Sequence, residues 1–146
     1  MYELKVGAAE AGINPPSSLF PFRKYENAFL EGSLDELKVK AIVLDNGETR
    51  FLILGMDVGD SLDGDEKQAI TDKYGFDYEH ILNFNTHNHS APFWGDKPGP
   101  RGPKPEDQAR CEHEYAKTVV AGIHKAIEGA LESLRPARYG FGTGLS

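Results

Sequence analysis

The run Asn85-Thr86-His87-Asn88-His89-Ser90 sets two imidazoles two residues apart, directly after the apolar segment Ile81-Leu82-Asn83-Phe84. In an extended backbone, side chains at i and i+2 share a face, so His87 and His89 are expected to address one site. Such a pair suits a metal ion, zinc first, either with both rings as ligands or with one as ligand and the other acting on substrate. A polar loop with two ordinary histidines is the competing reading, because a short His-rich motif is weak on its own. A hydrolytic zinc site needs three protein ligands and an open position for water, and this segment supplies two candidates. Asp57 is a candidate neighbour. Either His113 or Asp57 completes the set, or the remaining ligands lie on another polypeptide.

The flanking sequence predicts what must position these residues. Leu4 to Ala9 reads as a short strand, and Ala11-Gly12-Ile13-Asn14-Pro15-Pro16 as a turn. Residues 14–27 show no period and read as an aromatic loop carrying Leu19, Phe20, Phe22 and Tyr25; it either covers a pocket or caps a core edge. Leu37 to Leu44 and Arg50 to Met56 are β-rich runs flanking Asp45-Asn46-Gly47-Glu48, which predicts an antiparallel hairpin, since Asn-Gly supplies positive φ. Phe51-Leu52-Ile53-Leu54 predicts a central strand covered on both faces, ending at Asp57.

Residues 66–73 predict a short helix that ends at Tyr74-Gly75, with Asp63, Asp65 and Glu66 at its positive end. The Asp/Gly-rich stretch before it lacks the spacing of an EF-hand. Ile81 to Thr86 reads as the strand that delivers the histidines, and a long irregular loop follows through Pro105. In it, Phe93 and Trp94 suit either a substrate-facing wall or a surface anchor. Ala109, His113, Ala116, Val120, Ile123, Ile127, Ala130, Leu131 and Leu134 recur at three- or four-residue intervals and predict one helix from Glu106 to about Leu134, packed on the sheet. His113 and His124 fall on or beside that face, in packing or surface roles. Tyr139 to Ser146 resembles the start of a further strand.

The 146 residues suit one domain. Sixteen Lys plus Arg against 23 Asp plus Glu, a formal net charge of −7, oppose binding to nucleic acid or to anionic lipid. No apolar run approaches the roughly 18 residues of a membrane span, and the first residues lack a signal-peptide profile, so a cytoplasmic protein with no stable membrane association is expected. The one cysteine, Cys111, suits a reducing compartment and an inert, partly buried thiol.

The order of these segments resembles the amino-terminal part of the neutral/alkaline ceramidase family. Val6-Gly7-Ala8-Ala9-Glu10-Ala11-Gly12-Ile13-Asn14-Pro15-Pro16 is similar to its opening glycine–isoleucine–threonine–proline segment, and Met56-Asp57-Val58-Gly59 to its strand-end aspartate segment. Tyr74-Gly75, the strand Ile81 to Asn85 and Thr86-His87-Asn88-His89-Ser90 resemble its Tyr-Gly element, strand and Thr-His-Thr-His-Ser motif, with Asn88 in place of a threonine. Gly122 to Ala130 and Leu134 to Arg138 resemble its long helix and exit.

The resemblance implies an α/β fold, a mixed β-sheet with packed helices, in which residues 1–146 are the amino-terminal part of a metallohydrolase catalytic domain. It implies Zn²⁺ as cofactor, His87 as metal ligand and His89 beside substrate and water, with the remaining ligands downstream. The expected partner is therefore a complementary carboxyl-terminal fragment or subunit, within a higher oligomer. The expected reaction is zinc-dependent hydrolysis of an amide in a non-ceramide or small soluble substrate, with Asp57 orienting a histidine. The alternatives are a non-catalytic subunit that keeps the fold, and a metal-dependent ester, lactone or cyclic-amide hydrolase.

Overall fold

Alternating burial along two β-rich runs builds the centre of the chain. In a computed structural model, which describes residues 3–25, 27–96 and 104–144, strand β1 (Lys5–Gly12) is followed by a small hairpin of β2 (Phe22–Tyr25) and β3 (Ala28–Leu30). Then come β4 (Lys38–Asp45), β5 (Arg50–Met56), helix α1 (Gly64–Tyr74), β6 (Ile81–Asn85), helix α2 (Glu106–Glu132) and the two-residue β7 (Arg135–Pro136). The main sheet runs β6-β5-β4-β1-β7, antiparallel except for the parallel pair β5–β6. This is the expected α/β class with a mixed sheet and packed helices.

The β4–β5 hairpin forms as predicted. Asn46 N–H donates to the Thr49 carbonyl at 3.2 Å, the Asn46 Oδ1 accepts from Thr49 N–H at 2.7 Å, and Gly47 takes φ +89°. Helix α1 starts at a reciprocal cap, with Asp63 accepting from Glu66 N–H while Glu66 accepts from Asp63 N–H, and ends at Gly75 with φ +71°.

One sheet face carries the core. Val39, Ala41, Val43, Leu52, Leu54 and Met56 point into it and meet Tyr115, Val119, Ile123, Ala126 and Ile127 of α2, with Ile70 and Phe76 from the α1 region. The opposite face is open: Ile42, Phe51, Leu82 and Phe84 are all exposed, which corrects the expectation that Phe51 to Leu54 is covered on both sides. Both helices pack on the same side of the sheet, so among the described residues no helix covers the alternate residues of β5, although the His80 ring lies 4.2 Å from that of Phe51.

Three further expectations change. Residues 17–19 form a 3₁₀ turn, and residues 22–25 pair with 28–30, so the aromatic stretch is structured; Phe22, wholly buried edge-on to Tyr115, supplies the reason. The first half of α2 is rotated from the predicted face. Gln108, Cys111, Glu112 and Tyr115 are buried there, while Ala109 and His113, and Val120 just beyond, are exposed; this half packs on the β2 hairpin through Tyr115 against Phe22, and its Glu112 carbonyl accepts from Gly95 N–H. Residues 139–144 form no strand, and β7 at Arg135–Pro136 ends the sheet against Lys5 and Val6. Glu26 of the aromatic stretch, residues 97–103 of the predicted loop, and residues 145–146 lie outside the described residues.

Helix α2 approaches β1 closely because Gly7 has no side chain. A Cβ there would stand 1.9 Å from the Ala130 carbonyl oxygen and 3.0 Å from Leu134 N. Gly7→Ala is therefore expected to lower stability by about 2–3 kcal/mol or more through overpacking, read as an earlier urea midpoint with an unchanged slope.

Candidate metal and hydrolytic site

The parallel β5–β6 pair sets the site. Its register, Met56 opposite Asn85, carries the segments after both strands out of the same sheet edge, placing Gly59 beside His87. The strand ends at Asn85, and His87 adopts a left-handed backbone with φ +52°. Strand alternation therefore does not align the two histidines, as the sequence suggested. A left-handed turn does, and the rings meet edge to face with centroids 4.8 Å apart. Such a φ in a non-glycine residue is a local cost that the surroundings must hold in place.

Two bonds to one acceptor supply that hold. The Gly59 carbonyl faces Asn85 Nδ2 at 2.6 Å and His87 Nδ1 at 3.1 Å. Nδ1 must carry the proton to donate to a carbonyl, which leaves the Nε2 lone pair of a neutral ring for a ligand. Orientation of a metal-binding histidine by a backbone carbonyl is a common supporting arrangement. Asn88, where the resemblance has threonine, accepts at Oδ1 from Ser90 N–H at 2.8 Å and Ala91 N–H at 3.3 Å, folding the loop back between the two histidines and Pro92.

Lys24, which the sequence did not single out, supports the same loop from beneath. It is only 3% exposed, its ammonium donates to the His89 carbonyl, and it lies 5.6 and 5.5 Å from the Tyr25 and Phe93 ring centroids. Burial pulls its pKa below the ordinary lysine value. The detectable signal was the alternation Phe22, Arg23, Lys24, Tyr25, which places Lys24 on the same side of β2 as the buried Phe22.

Asp57 lies at the end of β5 as expected, but its carboxylate accepts from Lys38 N–H at 3.1 Å while its own N–H donates to the Lys38 carbonyl at 2.9 Å. It ties the end of β5 to the start of β4; the group that meets His87 is the Gly59 carbonyl. His113 pairs with Asp96 at 3.0 Å, and His124 Nδ1 lies 2.8 Å from the Tyr74 hydroxyl, so neither joins the histidine pair. Burial pushes the His124 pKa down. Cys111 is a buried free thiol, and Trp94 is buried in the core, an anchor rather than a wall.

Among the described residues no group of three or more His, Cys, Asp or Glu is placed to hold a metal ion. What the described residues bring together is one oriented imidazole, His87, with His89 against it. Both rings are exposed, and the loop that carries them borders a cleft of about 340 Å³. Asn88, Ser90 and Pro92 line that cleft together with Phe20, Leu30 and Leu37. No helix among the described residues is long and apolar enough to cross a membrane.

No protein-family model matches the sequence, and no curated protein does. Solved structures match by shape. The neutral ceramidase from Pseudomonas aeruginosa superposes with a TM-score of 0.70 at 19% identity, over 93% of this chain and 22% of that one. A ceramidase complexed with C2 gives a TM-score of 0.66 at 18% identity, with the same coverage. The chain spans less than a quarter of the length of these ceramidases, and over that span it is similar to them in fold.

Proposed function

We propose that this chain is one part of a zinc-dependent hydrolase that cleaves an amide bond in a small soluble substrate, with the remaining metal ligands on a complementary polypeptide. The observation that carries the reading is the His87–Gly59 contact: it fixes the protonated nitrogen and presents the other. The ceramidase likeness supports the reaction class through the fold that the two share. When bound, zinc would acidify a water and polarise the scissile carbonyl.

The chain's own groups do the rest. His87 offers Nε2 as ligand. His89, whose ring lies against that of His87, takes a proton from the attacking water in this reading and returns it to the leaving nitrogen. Lys24 holds the His89 backbone in place. Asp57 acts as a positioning residue, since its bonds to Lys38 fix the start of the segment that ends at the Gly59 carbonyl.

Metal analysis of the native protein, together with every polypeptide that accompanies residues 1–146, tests this. Stoichiometric zinc is expected, with amide hydrolysis lost on chelation and restored by Zn²⁺. Fully active material without bound metal would overturn the reading.

A further inference from the structure

His87, Asn88 and His89 are consecutive residues, and each is fixed by a different bond. His87 is tethered to the Gly59 carbonyl, the His89 backbone is held by Lys24, and Asn88 is pinned by its own Oδ1, which accepts from Ser90 N–H at 2.8 Å and Ala91 N–H at 3.3 Å. Those two donors fix which way the carboxamide is turned, since the reversed amide would set N–H against N–H. Nδ2 is left as the other end.

Nδ2 carries two N–H groups, and among the described residues nothing accepts from either. Asn88 is half-buried and lines the cleft of about 340 Å³. The side chains of Phe20, Leu30, Leu37 and Pro92, which line it too, offer no acceptor. Among the described residues the one charged residue lining the cleft is Asp35, an acid, so an anionic group meets no counter-charge there. A neutral oxygen on an apolar frame suits such walls.

We propose that Asn88 Nδ2 is the donor by which this cleft binds a neutral carbonyl oxygen, and that in amide hydrolysis this oxygen is the scissile one, which makes Asn88 a further catalytic residue. The second half of the inference rests on the proposed function; the first does not. When water adds to the carbonyl carbon, a C–O bond forms and the π pair moves onto the carbonyl oxygen. That pair returns as the C–N bond breaks and the leaving nitrogen takes a proton, giving an acid and an amine. A donor held in place beforehand bonds the charged oxygen more strongly than the neutral one and needs no reorganisation as the charge develops. Threonine, which the resembling family has at this place, would accept and donate through one hydroxyl oxygen. A carboxamide divides the two jobs between two atoms.

A cap for the loop needs only Oδ1. Asn88→Asp separates the roles, because a carboxylate still accepts from Ser90 and Ala91 N–H but donates nothing. The probes are 2-heptanone, a neutral ketone with no bond to hydrolyse, and the chromogenic amide N-butanoyl p-nitroanilide, both applied to the native protein with every polypeptide that accompanies it. In ¹H–¹⁵N spectra the paired Asn88 Nδ2 signals, identified by their absence from Asn88→Asp, are expected to shift and saturate as the ketone is added. Asn88→Asp is expected to bind the ketone about fivefold more weakly, as for loss of one neutral hydrogen bond, and to lower kcat for the anilide roughly 10²–10³-fold at a near-native urea midpoint.

Asn88 signals that ignore the ketone would overturn the assignment, and so would an Asn88→Asp protein that hydrolyses the anilide at the native rate. The titration reads neither zinc nor rate and needs the variant only to identify the signals. Silent Asn88 signals in an active hydrolase sink the Asn88 donor alone. Shifted signals in a protein that hydrolyses no amide uphold the carbonyl site and sink the hydrolase.

Discussion

His87→Ala is expected to remove the bound zinc and to lower kcat/KM for amide hydrolysis on the order of 10³-fold, since charge stabilisation at the carbonyl is lost with the metal. The informative comparison is His89→Ala. That variant should keep stoichiometric zinc and lower kcat by about 10²–10⁴-fold, as expected for loss of a general acid–base. The split follows from the geometry. Only His87 has a ring nitrogen tethered to a backbone carbonyl, 3.1 Å from Gly59, whereas the His89 ring is held by its backbone. Zinc content is read by mass spectrometry of the native assembly and rate by single-turnover hydrolysis. Normal zinc and normal rate in His87→Ala would remove the residue from the site.

Glu112→Ala is expected to cost about 3–5 kcal/mol, the range for breaking a buried charge pair from one side. Glu112 is wholly buried on α2. It accepts from Gln108 Nε2 at 2.7 Å and pairs with the Lys104 ammonium, while its backbone carbonyl receives Gly95 N–H at 3.2 Å. Removing the carboxylate leaves the largely buried Lys104 ammonium without its counter-ion. Glu112→Gln keeps the shape and an acceptor for Gln108 but not the charge, and should fall between the two. Urea titration followed by far-UV circular dichroism gives the three midpoints. Because Lys104 and Gly95 flank the chain that returns from the histidine loop, the alanine variant should also disturb that loop, and a native midpoint in Glu112→Ala would show that the pair contributes nothing net.

Local patterns with a single physical solution were readable from the sequence. Asn46-Gly47 admits a positive φ and little else, Asp63 and Glu66 form a reciprocal cap, and β5, α1 and β6 follow from composition and breakers. What the sequence hid depended on partners distant in the chain. Phe22 is a core residue because Tyr115 lies against it, so a stretch without period still forms a hairpin. The phase of α2 slipped because its first half meets the β2 hairpin, where Phe22 lies edge-on to Tyr115 and Arg23 pairs with Asp107, which no helical periodicity encodes.

Within the site, His87 and His89 were found by residue type, and their closeness was anticipated on a wrong premise, since a left-handed turn and not an extended strand brings the rings together. Gly59 was invisible because a backbone carbonyl carries no sequence signature. Asp57 drew notice as a carboxylate at a strand end, although its contacts are with the Lys38 backbone. Lys24 was overlooked because a lysine beside aromatic residues reads as solvent-facing until burial is known.

The parallel register of β5 and β6 divides the chain into parts that tolerate changes in length differently. The crossover from Asp60 to His80 leaves the sheet and returns to it, so residues added at its exposed turns lengthen a surface excursion and leave Met56 opposite Asn85. One residue inserted between Ile81 and Leu82 has the opposite effect. It turns Leu82 and Phe84 toward the core, sends Asn83 outward, and moves His87 off the Gly59 carbonyl. This chain should therefore accept added residues in the α1 excursion, while its register fixes the count from the first residue of β6 to the first histidine.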